Sequence, residues 1–139
     1  MTATDRQSGY ADRFDYRVDI LRRRNLVSAA WNGAVLARST RALLIDEQNH
    51  GLVFYFPRED VRLDLLAPMP EKSSYCPYKG EASYWRRAGE TGEAIAWSYE
   101  DPYPEVAQIG GYVAFYQDRV TVSVGIAEAL HTAPAANPG

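Results

Sequence analysis

The chain's single cysteine, Cys76, stands three residues before Lys79 in the run Cys76-Pro77-Tyr78-Lys79-Gly80-Glu81-Ala82-Ser83-Tyr84-Trp85. The thiolate is the nucleophilic form of cysteine and a nearby lysine charge favours it, so the pair reads as a candidate activated nucleophile. No histidine or acid of the motif presents itself as the base. The competing reading is an inert thiol, since free cysteine is among the residues most often buried. Asp60, Lys79 and Tyr116 offer a separate acid–base set, which makes Cys76, Lys79 and Asp60 the catalytic candidates. Arg58 beside Asp60 or Asp101 fits an ion pair that braces loops better than a catalytic pair. Lys79-Gly80 is not a phosphate loop, because there the glycine precedes the lysine. One cysteine and two distant histidines cannot build a structural zinc site, so neither a metal nor a cofactor is expected.

The second chemical signal is aromatic. Most of the ten tyrosines, three tryptophans and four phenylalanines fall between Phe54 and Tyr116, interleaved with Arg58, Asp60, Lys79 and Asp101. Tyrosines in such number either tie sheet ends together through their hydroxyls or wall a pocket with a few convergent polar groups. On the pocket reading, Tyr78, Tyr84, Trp97, Tyr99 and Tyr116 are the walls. Arg58 and Lys79 orient an anionic or carbonyl-bearing ligand, and Cys76 and Asp60 complete the set. The site is expected where the 57–60 turn, the 76–80 loop and the 97–102 segment converge, since each holds a proline at a strand end. Three functions stay open: a small-molecule binding domain, an enzyme built on Cys76 or the Asp60/Lys79/Tyr116 set, and a protein-interaction module.

These residues must be positioned by one domain, because 139 residues bury a real core but not two of ordinary size. A net charge of −3 gives no general reason to bind nucleic acid or an anionic membrane. No apolar run follows Met1, so neither secretion nor a membrane span is indicated, and a cytoplasmic monomer or homodimer is expected. Residues 1–11 read as a disordered arm, 12–126 as the domain and 127–139 as a flexible tail. Within the domain, short apolar and β-branched runs alternate with turn residues, which predicts a mainly β fold. Asn32-Gly33 joins the 26–31 and 34–37 strands through a type I′ turn, setting Trp31 opposite Ala34. A second hairpin joins 42–45 to 52–56 through a polar turn in which His50 points into water. Pro57-Arg58-Glu59-Asp60 opens a short helical turn, and another is expected in the 101–108 loop. The 61–65 stretch fits a strand or a helix. Pro68 and Pro70 carry the chain to the Cys76 loop, the 82–87 and 93–99 segments pair, and 112–116 with 119–124 form a closing hairpin.

Four phrases, in this order and spacing, resemble one bacterial family. They are Tyr55-Phe56-Pro57-Arg58-Glu59-Asp60-Val61, Cys76-Pro77-Tyr78-Lys79-Gly80, Ala96-Trp97-Ser98-Tyr99 followed by Pro102, and Gly111-Tyr112-Val113-Ala114-Phe115-Tyr116. The family is the one catalogued as domain of unknown function 427, and the resemblance covers residues 16–124. It implies a β-tent, two antiparallel sheets meeting at an angle with short helical turns. The family's nucleotidyltransferase-like label implies acidic residues that hold two cations after a Gly-Ser turn. This chain has no Gly-Ser pair and no Asp-x-Asp. Other β-tent proteins, methionine sulfoxide reductase B and the thalidomide-binding domain of cereblon, are stapled by zinc through cysteines that this chain lacks.

Overall fold

The structure is a computed structural model that describes residues 8–11, 13 and 15–127. The expected tail beyond Ala127 and the first seven residues of the expected arm lie outside the described residues. The strands are β1 (Val18–Arg22), β2 (Asn25–Trp31), β3 (Ala34–Ser39), β4 (Leu43–Glu47), β5 (Leu52–Phe56), β6 (Leu66–Cys76), β7 (Gly80–Arg87), β8 (Ala96–Tyr99), β9 (Val113–Phe115) and β10 (Thr121–Ala127). Among the described residues they form two antiparallel sheets, one of seven strands in the order β1-β4-β5-β9-β8-β7-β6 and one of three in the order β10-β2-β3. The domain is therefore mainly β and has the two-sheet architecture of a β-tent.

Local chemistry accounts for most of the elements. Asn32 and Gly33 both take positive φ, 50° and 84°, so the β2–β3 turn has the twist of a tight hairpin and Trp31 pairs with Ala34. Short 3₁₀ turns occupy Arg58–Asp60, Leu63–Leu65 and Pro104–Ile109. The ambiguous stretch is thus divided, for Val61 makes an isolated bridge to Ala37 before the turn at Leu63 begins. No helix among the described residues is long and apolar enough to cross a membrane.

Two expectations are corrected. Pro68 and Pro70 lie inside β6, which is tolerable because β6 is an edge strand and a missing N–H costs no ladder bond on the open side. The closing hairpin does not exist: β9 runs between β5 and β8 in the large sheet, whereas β10 pairs with β2 in the small one. All three residues of β9 are buried, as a central strand covered on both faces requires. The chain then turns over Tyr116, whose carbonyl accepts from the amides of Arg119 and Val120, and changes sheet.

Alternation along the large sheet gives each face its own core. Phe56, Ala96, Val113 and Phe115 face the small sheet and pack with Val27, Ala29 and Leu36. The intervening residues Tyr55, Tyr99 and Ala114 share the opposite face with Leu43, Ile45 and Ala82. Val106 and Ile109 of the 3₁₀ segment Pro104–Ile109 close part of that second face. The rest of it is left open as a cavity.

Candidate functional site

The period of two decides what the cavity receives. Ile45 and Glu47 of β4, Val53 and Tyr55 of β5, Tyr84 of β7 and Trp97 and Tyr99 of β8 all line it, with Tyr116 beyond β9. The turn between β6 and β7 folds over one end and contributes Cys76, Pro77, Tyr78 and Lys79, for a volume of about 570 Å³. That turn is closed by the Lys79 amide donating to the Cys76 carbonyl at 3.3 Å. Gly80 follows at φ 113°, a conformation open to glycine and strained for other residues.

The ring walls touch one another. Trp97 lies 4.7 Å from Tyr116 and 6.1 Å from Tyr55, centroid to centroid, and its indole N–H donates to the Tyr55 hydroxyl at 3.1 Å. Burial holds the phenols of Tyr55 and Tyr99 well above the usual tyrosine range and pushes Tyr116 up to about 12. These three hydroxyls are therefore neutral at physiological pH.

The polar end is built from two elements far apart in sequence. Glu47 and Lys79 are both buried, and Lys79 Nζ donates to Glu47 Oε1. The other carboxylate oxygen, Oε2, accepts from the Tyr16 hydroxyl. Burial alone would raise the Glu47 pKa, but the hydrogen bonds from Lys79 and Tyr16 and the lysine charge outweigh it and hold the carboxyl below its ordinary value. Cys76 is half-buried, with Sγ 3.8 Å from Lys79 Nζ. His50 is exposed, as expected, yet it borders the cavity with Nε2 3.7 Å from Glu47 Oε2.

Gly9 and Tyr10 pack against this end of the cavity. Gly9 donates its amide to the Pro77 carbonyl at 2.7 Å. A Cβ on residue 9 would meet Cε1 of Tyr78 at 2.8 Å, so the approach needs glycine. Tyr10 packs edge-on against Tyr16 and Tyr78, and those two rings stack at 3.6 Å. Burial pushes the Tyr10 phenol up to about 12.

Seven of the residues singled out in the sequence line this cavity: Cys76, Tyr78, Lys79, Tyr84, Trp97, Tyr99 and Tyr116. Arg58 and Asp60 do not, so the expected convergence of three segments is reduced to two. The reason is sheet parity. Arg58 reaches Ser98 Oγ at 3.4 Å, and Ser98 faces away from its neighbours Trp97 and Tyr99. Arg58 pairs with Glu100, not with Asp60 or Asp101, donates from Nε to the Gly111 carbonyl at 2.9 Å, and lies 5.2 Å from the Trp85 ring. Asp60 accepts from Ser39 Oγ at 2.6 Å and from Arg41 at 3.2 Å, tying its turn to β3. The Asp60/Lys79/Tyr116 set is therefore not assembled, and the carboxylate beside Lys79 is that of Glu47.

Glu47, Tyr16 and Tyr55 were missed as site residues. Glu47 had a signal, since Leu43, Ile45 and Glu47 alternate along one strand and put an acid where that face calls for an apolar side chain. Among the described residues no group of three or more His, Cys, Asp or Glu side chains could hold a metal ion. The family described as domain of unknown function (DUF427) matches residues 19–125. No curated protein matches the chain.

Proposed function

Because the chain belongs to the DUF427 family, whose description names no activity, we propose from the cavity alone that the domain binds a small, uncharged molecule with an apolar, ring-bearing body. The observation that carries this reading is a cavity of about 570 Å³ with aromatic walls and a single polar end, the composition typical of small-molecule sites. An anionic ligand is disfavoured: the one lysine in the cavity is already neutralised by Glu47, and Arg58 faces elsewhere. Neutral phenols and the paired Lys79 and Glu47 leave hydrogen-bond donors and acceptors for a carbonyl or amide. A cytoplasmic setting would keep Cys76 reduced and suits this reading.

The test uses benzamide as the probe. Saturation-transfer NMR should detect its contact with the wild-type chain. Val53→Phe, which fills the cavity from β5 without opening a void, should weaken binding about tenfold or more, equivalent to at least ~1.4 kcal/mol. Absence of binding to wild type, or equal binding to the filled variant, would reject the cavity as the ligand site.

A further inference from the structure

The polar end of the cavity contains more than binding requires. Burying an ion pair costs desolvation, and well-packed apolar residues in its place are often as stable or more so. Glu47 closes β4, whereas Cys76 closes β6 and Lys79 sits in the following turn, so the fold brings together a thiol, an ammonium and a carboxylate from separate strands. Lys79 Nζ touches both of the others, at 3.8 Å to Cys76 Sγ and in a direct hydrogen bond to Glu47 Oε1. Tyr16 holds the second carboxylate oxygen, and all four residues line the cavity. A nucleophile, a cation able to hold an oxyanion and an ionised base, opening on an apolar pocket, are the parts that acyl transfer needs.

We infer that Cys76, Lys79 and Glu47 form an acyl-transfer centre that cleaves a small amide or ester whose apolar body lies against Trp97 and Tyr99; the inference rests on the cavity reading above. Cys76 Sγ attacks the carbonyl carbon, forming a C–S bond while the C=O π pair moves onto oxygen. The thiol proton is relayed through Lys79, which hands one of its protons to Glu47 and takes up that of the thiol. The ammonium, restored, holds the oxyanion. Collapse re-forms C=O and breaks the bond to the leaving amine or alcohol, which takes the proton back from Glu47 and leaves a thioester on Cys76. Water then adds to the thioester carbonyl and gives a proton to Glu47. The second collapse breaks C–S, releases the acid and returns the proton to sulfur. The net change is amide or ester plus water to acid plus amine or alcohol, with no oxidant or reductant.

The experiment supplies p-nitrophenyl acetate to the full chain at neutral pH and follows p-nitrophenolate release, with peptide mass spectrometry to locate the acetyl group. Acetylation is expected at Cys76, about 100-fold faster than for free N-acetylcysteine. Cys76→Ser, nearly isosteric, should abolish the rapid thiol acetylation. Lys79→Met/Glu47→Gln removes both charges together and leaves neither buried alone; it should fall to the N-acetylcysteine rate. Acetylation of the wild type no faster than N-acetylcysteine, with benzamide still bound, would overturn the acyl-transfer centre and spare the binding reading. A fast acetyl group found on Lys79 instead of Cys76 would also overturn it. Failure to bind benzamide would remove the cavity reading and this inference with it.

Discussion

Lys79→Met alone will destabilise the domain by about 3–5 kcal/mol in equilibrium urea unfolding, because it leaves the Glu47 carboxylate buried without its counter-charge. Most of that loss should return in Lys79→Met/Glu47→Gln, where no charge is stranded; equal losses in the single and double variants would show that the two side chains are not coupled. The same pair carries a pH signature. The folded pKa of Glu47 lies below its ordinary value of 4.5, so its contribution is fully present above the unfolded pKa and is lost as pH falls through the folded one. The wild type should therefore lose more stability than Glu47→Gln as pH is taken down from about 4.5. Parallel acid-unfolding curves for the two would contradict the assignment.

Phe115→Ala should cost a similar amount, about 3–5 kcal/mol, for a different reason. Phe115 is 1% exposed in the central strand β9 and packs edge-on against Phe56 at 5.6 Å, in the core shared by the two sheets. Truncating it removes apolar burial and opens a void that strands paired on both sides cannot collapse to fill. Against a typical domain stability of about 5–15 kcal/mol, this is a large fraction. Urea midpoints decide it, and a loss under ~1 kcal/mol would mean that the two sheets repack around the gap.

The parts legible in the sequence are those set by local chemistry. Asn32-Gly33 dictates its own turn. Pro77 and Gly80 around Tyr78 and Lys79 mark an ordered loop, and the crowd of rings between Phe54 and Tyr116 foretells walls. What depends on the partner across the sheet was not legible. Val113, Ala114 and Phe115 look the same whether the next strand folds back or crosses to another sheet, and only their burial on both faces separates the cases. Arg58 and Asp60 sit in a turn whose sequence gives no sign of which face it will join, and the parity of Ser98 against Trp97 and Tyr99 decides it. Glu47 is separated from Lys79 by 32 positions, so an acid that looks like the end of a hairpin strand becomes the lysine's partner only once β4 and the β6–β7 turn meet across the sheet.

The crossing from β9 to β10 also sets an order of events during synthesis. The small sheet is finished by a strand whose bond from Asn25 Nδ2 to the Gly125 carbonyl spans 100 positions, so β2 and β3 leave the ribosome long before the strand that covers the edge of β2. Closing so distant a contact is slow, and until then that edge exposes unpaired amides and carbonyls, a template for pairing between chains. The nascent domain is thus most vulnerable to self-association in the interval before β10 is released.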